Sequence, residues 1–392
     1  MWQVKGRRYD NGEPVVINIE GERIASVQPA LPDGPVADWP YVAPGLFDLQ
    51  INGHAGIWFA KADLTTDEVL TTLRHHFRFG VTRLFPTLIT ASFEALHGGF
   101  AAIRKACEQE HWADLMVPGC HLEGPYISRE DGPRGAHPLK QVRACDWDEF
   151  QRLNEASGGR IKLLTLAPEA EGAIDFIRKA VAAGVTIAIG HTGATPEQVT
   201  AAVDAGARLS THLGNGAHGM LRRHPNYIWE QLGDSRLTAS IITDGHHIPD
   251  SFIRTVIRTK TPARTVITCD AAGLAGCPPG VYQIESGGVE ILPSGKIVVA
   301  HQPQFLAGSG QLTDHCVAHA MNVAGVSLKD AIDMAGRIPA SLVGIEEIAI
   351  RRGSRADLVF FDIGGNSQFA IRSTIAAGCE QWNDGSKLHG AK

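Results

Sequence analysis

From about residue 42 onward, short β-branched runs alternate with amphipathic helical patterns, and this alternation restricts the chain to a parallel sheet wound with helices. The candidate strands are 42–52, 81–89, 115–123, 161–167, 185–191, 208–213, 238–244 and 265–270. Eight is the number that a closed (β/α)8 barrel requires. The helices between them carry start and stop signals. In Thr65-Thr66-Asp67-Glu68 the threonine caps and the glutamate returns the bond, and Val69, Leu70, Leu73 and Phe77 then form one apolar stripe. Gly80 supplies the left-handed residue that closes this helix before the next strand. Thr195-Pro196-Glu197-Gln198 repeats the start signal with proline in the first turn. Two further helical patterns, 311–323 and 328–342, follow the eighth strand.

The two chain ends read differently. Residues 14–20 and 23–27, and later 356–361 and 373–376, are short apolar-alternating runs separated by turn residues, as in antiparallel strands. The expected architecture is therefore an α/β (β/α)8 TIM-like barrel over 42–346, with a small β-sandwich domain built from 1–41 and 347–392. A β-like patch at 281–300 reads as an insertion near the mouth of the barrel.

With 392 residues, 44% of them hydrophobic and 20% charged, the chain has ample material for a large packed core. Lys and Arg total 36 against 42 Asp and Glu, a formal net charge of −6. Without a long basic run this excludes a dedicated nucleic-acid binder. The opening Met1-Trp2-Gln3-Val4-Lys5-Gly6 has no apolar core of signal-peptide length, and no run of about 18 apolar residues suggests a membrane span. A cytoplasmic protein is expected. Seven scattered cysteines, none in a C-x-x-C spacing, indicate neither a disulfide framework nor a thiolate zinc site.

In such a barrel the C-terminal ends of the strands converge on one mouth. Glu123 ends the third strand, His191 the fifth, His212 the sixth and Asp270 the eighth. A lone histidine is more often a hydrogen-bonded core residue than a ligand, but four acidic or imidazole groups on four strand ends are hard to assign to packing. One carboxylate and two imidazoles make a three-ligand site that leaves a divalent metal open to water. Asp270, left unliganded, would face that water and exchange protons with it. That combination hydrolyses amide-type bonds.

The ordered motifs Pro44-Gly45-Leu46-Phe47-Asp48, His121-Leu122-Glu123-Gly124-Pro125, Gly135-Ala136-His137, Gly190-His191-Thr192, Thr211-His212-Leu213, Asp244-Gly245-His246-His247 and Cys269-Asp270-Ala271 run over nearly the whole chain. Together they resemble the N-acetylglucosamine-6-phosphate deacetylase family of the amidohydrolase superfamily. The resemblance implies that Glu123, His191 and His212 hold one divalent metal ion and that Asp270 is the acid/base. It implies that His137 or His247 polarises the acetyl carbonyl, and that Asn215, the Gly216 amide, Arg223 and His247 hold the sugar phosphate. Ala136 and the backbone of Leu306, Ala307 and Gly308 would line the sugar. It further implies a homodimer in amino-sugar metabolism, acting on a small-molecule amino-sugar phosphate, with zinc as the metal and iron, manganese or cobalt as alternatives.

Three features depart from that family. Where many amidohydrolases carry a His-x-His pair on the first strand, this chain has Gln50 and Asn52, and neutral amides are poor ligands for a transition metal. One metal is expected, with His54 as a loop histidine. Leu213-Gly214-Asn215-Gly216-Ala217-His218 replaces a bulkier aromatic and an Asn-Ala pair, which is expected to leave more room around the sugar. The His137 segment lacks the residue usually found between His and Pro. These changes leave two rival readings: the same machinery acting on an unphosphorylated or galacto-configured N-acetyl sugar or a cyclic amide, and a non-catalytic scaffold.

Overall fold

The structure is a computed structural model that describes residues 2–31, 34–284 and 287–386. Residues 1, 32, 33 and 387–392, which the sequence assigns to the small β domain, and 285–286 of the 281–300 patch lie outside the described residues.

The chain folds into a (β/α)8 barrel. Its strands, in order around the sheet, are Leu46–Ile51, Val81–Ile89, Cys120–Glu123, Ile161–Leu166, Thr186–Ile189, Leu209–Ser210, Thr238–Ile242 and Thr265–Thr268. All seven adjacent pairs are parallel. Such strands are covered on both faces, which is why they read as near-continuous apolar runs. Closure occurs just beyond the eighth strand, where Ile51 bridges Ala271 and the Asn52 amide donates to the Ala271 carbonyl at 2.9 Å.

A buried carboxylate secures this seam. Asp48, on the first strand, accepts from the Thr268 hydroxyl, from the Cys269 amide at 2.9 Å and from Thr313 Oγ1 at 2.7 Å. Burial pushes the Asp48 carboxyl upward, against the lowering effect of these donors.

The helix signals hold. Thr65 and Glu68 form a capping box on Thr66–His76, Thr195 and Gln198 form another on Pro196–Ala205, and Gly80 takes φ 75°. Most strand boundaries fall within three residues of expectation, and two differ by more. The expected strand 42–52 divides at Gly45, with Tyr41–Pro44 in the small sheet and Leu46–Ile51 in the barrel. A Cβ at Gly45 would lie 2.2 Å from Thr82 Oγ1, so a side chain there has no space. The third strand begins only at Cys120, because His111–Met116 is a short helix that buries Ala113 and Met116 three residues apart.

Both chain ends form one seven-stranded sheet. Its order is Cys379–Asn383, Phe369–Ala376, Leu358–Ile363, Tyr41–Pro44, Trp2–Arg8, Pro14–Glu20, Arg23–Pro29. It has its own core, including Val4, Ile17, Ile19, Leu358, Phe360 and Ile375. Asp357 ties this sheet to the barrel: its carboxylate accepts from Arg83 Nε at 3.2 Å and from Arg355 Nε at 2.7 Å. A separate four-stranded antiparallel sheet, Gly280–Ile284, Gly287–Ile291, Ile297–Val299 and Gln302–Leu306, is the expected insertion. It contributes to the cavity at the barrel mouth.

Candidate active site

The strand ends converge on a cavity of about 790 Å³, a size suited to a small organic ligand. Glu123, at the end of the third strand, lies at its floor. Its Oε1 is 2.9 Å from His212 Nε2 and 3.2 Å from His191 Nε2, and the two imidazole nitrogens are 3.1 Å apart. Among the described residues this is the one group of three or more His, Cys, Asp or Glu whose ligating atoms gather within metal-binding reach.

The chemistry of the donors fits a divalent cation. His191 Nδ1 donates to the Pro133 carbonyl at 2.9 Å, which leaves Nε2 as a bare lone pair. Two imidazole nitrogens and a carboxylate oxygen facing one another are then held together by at most one shared proton. A cation satisfies all three. Burial raises the Glu123 carboxyl, but its contacts with His191 and His212 outweigh it and hold the group well below its usual range.

Three of these strand ends are strained. His191, His212 and Asp270 occupy left-handed backbone at φ 51°, 28° and 52°. Non-glycine residues there cost on the order of 1–3 kcal/mol each, and such strain concentrates at functional sites. The sharp turn directs each side chain into the mouth rather than along the strand.

Asp270 Oδ1 accepts from Asn52 Nδ2 at 2.7 Å and Gln50 Nε2 at 3.0 Å, and Gln50 Nε2 also donates to Glu123 Oε1 at 3.0 Å. Gln50 and Asn52 read from sequence only as missing ligands. In the structure they orient both carboxylates. Burial, and then the charge of Glu123, push Asp270 up to about 7, against His212, His247 and the Asn52 hydrogen bond.

His137 meets the cavity with Nδ1 on Thr90 Oγ1 at 2.7 Å and its ring centroid 4.2 Å from that of His191. Burial and His191 hold its pKa well below the ordinary imidazole value. His247 Nδ1 lies 2.8 Å from Asp244 Oδ2. Ala136, Asn215, Gly216, Leu306, Ala307 and Gly308 also line the cavity. Arg223 does not: it is exposed on the loop that precedes Asn226, outside the lining. His54 is buried on the two-residue ribbon strand Gly53–His54 rather than in a loop, with its ring 5.2 and 5.4 Å from those of His75 and His76, and it too lies outside the lining.

The altered loop does not simply open space. A Cβ at Gly214 would lie 2.6 Å from the Phe252 ring, so that aromatic occupies the volume beside the glycine. At Gly216, φ is 55° and a Cβ would come within 2.7 Å of His191 Nδ1. Glycine there lets the loop backbone approach a metal-facing imidazole.

Barrel and site together define a hydrolase of the kind that works with a divalent metal at the C-terminal strand ends. The sequence profile of the Amidohydrolase family matches residues 41–380, and the chain belongs to that family. It is 32% identical to N-acetylgalactosamine-6-phosphate deacetylase of Escherichia coli O157:H7 over 346 residues, covering 87% of this chain and 89% of that protein. It is equally 32% identical to N-acetylglucosamine-6-phosphate deacetylase of Bos taurus over 352 residues, covering 87% and 83%. Among solved structures, a mutant N-acetyl-D-glucosamine-6-phosphate deacetylase from Mycobacterium smegmatis, in complex with N-acetyl-D-glucosamine-6-phosphate, superposes with a TM-score of 0.84 at 30% identity, covering 94% of each chain.

Proposed function

We propose that this protein hydrolyses the N-acetyl group of N-acetylglucosamine 6-phosphate, giving glucosamine 6-phosphate and acetate. The observation that carries the reading is the pairing of a Glu123/His191/His212 cluster with an adjacent, separately held Asp270 in one cavity. Relatives named for this reaction and its galacto counterpart match at equal identity.

Glu123, His191 and His212 would hold one divalent ion, zinc by the character of the donors, with iron, manganese and cobalt as alternatives. Such an ion supplies polarisation of a carbonyl oxygen and acidification of water. Asp270 takes the proton of the attacking water at its carboxylate and returns it to the amide nitrogen as the C–N bond breaks. Gln50 and Asn52 keep that carboxylate in place while it exchanges the proton. His137, with Thr90 on Nδ1, offers Nε2 to the acetyl oxygen. Asn215, the Gly216 amide and His247 face the sugar phosphate, and Leu306 to Gly308 line the ring.

Arg223 serves phosphate binding from a second copy. Its exposed loop also carries Met220, which is 94% exposed, as expected of a segment that a homodimer covers. Seven unpaired cysteines accord with work in the reducing cytoplasm. The galacto-configured 6-phosphate is the second reading, favoured by the relative from Escherichia coli. Arg223→Ala tests the phosphate assignment: kcat/KM should fall for the phosphorylated sugar and not for the unphosphorylated one. Equal loss on both, or on neither, contradicts it.

A further inference from the structure

Asp244 lies two residues beyond the end of the strand Thr238–Ile242 and is buried with its side chain 1% exposed. It takes four donors. Oδ2 accepts from His247 Nδ1 at 2.8 Å and Ser309 Oγ at 3.0 Å, while Oδ1 accepts from the amides of His246 at 2.8 Å and His247 at 2.9 Å. Burial raises this carboxyl, but the hydrogen bond and charge of His247 outweigh it and keep it ionised well below the usual range. An ionised carboxylate accepts only, so the shared proton sits on His247 Nδ1. Nε2 is then the ring nitrogen left for the cavity, which His247 lines.

The same carboxylate reaches across the mouth. Ser309 follows the sugar-facing stretch Leu306–Gly308, its amide donates to the Asp270 carbonyl at 2.8 Å, and its own carbonyl accepts from the Ala272 amide at 2.9 Å. The backbone beside the acid/base, the sugar-lining loop and the His247 ring therefore meet at one buried anion.

We propose that Asp244 is a positioning residue: it fixes the tautomer and orientation of His247 and, through Ser309, locks that ring in register with the Asp270 strand end. The assignment rests on His247 being the substrate-facing group described above. Asparagine cannot replace the carboxylate without cost, because its amide nitrogen would face a donor at Nδ1 or at the two backbone amides.

The test uses zinc-loaded full-length protein with ¹⁵N-labelled histidine. The His247 ring signals are identified by their loss in His247→Gln. Wild type should show a protonated Nδ1, and Asp244→Asn should move that ring to another tautomer while zinc content stays at wild-type level. Identical His247 signals in both would overturn the proposal.

Turnover supplies a second arm. Asp244→Asn should lower kcat/KM by about 10 to 100-fold, the scale on which oriented carboxylate partners of functional histidines act. In a His247→Ala background the same change should cost less than about twofold. Full multiplication of the two losses would show a merely structural role. If Asp244→Asn does not fold, Asp244→Ser is read in its place with the same outcomes, and Asp244→Glu, which keeps the charge, should retain the Nδ1-protonated ring. A protein that turns over no amino-sugar phosphate would overturn the substrate reading, while the ring signals would still decide the role of Asp244.

Discussion

His191 Nε2 and His212 Nε2 face each other across 3.1 Å, and both reach the same oxygen of Glu123. Three ligand atoms this close are suited to a shared cation. Glu123→Gln removes the charge and one anionic donor while keeping the shape. Metal content after dialysis should fall, with affinity lowered by more than the roughly 10 to 100-fold that losing an outer partner costs. Retention of about one metal per chain with wild-type affinity would place the ion elsewhere.

In the proposed reaction Asp270 carries the proton. Asp270→Asn should lower kcat by about 10²- to 10⁴-fold, the usual contribution of a positioned acid/base. Metal content and melting temperature should stay close to wild type. A variant that keeps most of its turnover would remove Asp270 from the reaction.

The pH dependence follows from the same side chain. A carboxyl that accepts a proton works only when ionised, and burial with the Glu123 charge pushes Asp270 up to about 7. The ionised fraction grows as pH rises through that value, and a bound cation favours the ionised form still further. The acid limb of kcat/KM should therefore lie at or below pH 7, with activity falling as pH drops through it. Activity that increases between neutral pH and pH 5 would contradict this sign.

Gly216 tests how closely the loop must approach the metal-facing ring. With φ at 55° and the added Cβ only 2.7 Å from His191 Nδ1, Gly216→Ala should displace that ring and weaken metal binding. The left-handed backbone alone adds about 1–2 kcal/mol of strain. Isothermal titration with zinc into metal-free protein measures the effect. Unchanged affinity would mean that the loop relaxes freely.

Asp357 joins the terminal sheet to the barrel through Arg83, whose side chain is 3% exposed against 0% for Asp357. Asp357→Ala leaves a buried guanidinium without its charge partner and should destabilise the fold by about 3–5 kcal/mol. Chemical denaturation reads the loss, and kcat of the folded fraction should be nearly unchanged. A loss below about 1 kcal/mol would show that the sheet docks by apolar contact alone.

Much of this site is legible in the sequence because strand ends are. Glu123, His191, His212 and Asp270 each terminate an apolar run, and a barrel gathers such positions whatever their separation along the chain. The division at Gly45 is harder to read: Pro44-Gly45 is a turn signal inside an otherwise strand-like stretch, and the contact with Thr82 shows why no side chain fits where the chain changes sheets. Gln50 and Asn52 looked like absences because their role as donors depends on carboxylates that lie 73 and 218 residues away. Phe252 was hidden for a similar reason. It lies on the helix Asp250–Lys260, yet fills space beside Gly214, far from it in sequence. Arg223 sits in a basic loop, and no local pattern tells a cation that faces a neighbouring copy from one that faces solvent.

Acetate release from N-acetylglucosamine 6-phosphate, measured beside its galacto and unphosphorylated counterparts on a sample of known metal content, decides whether the protein is a metal-dependent deacetylase of this sugar. Fast turnover of the gluco 6-phosphate with about one metal per chain is expected, and that turnover should be lost on chelation. Bound metal without turnover of any of the three sugars would contradict the assigned reaction, and undiminished turnover after the metal is removed would contradict the assigned chemistry.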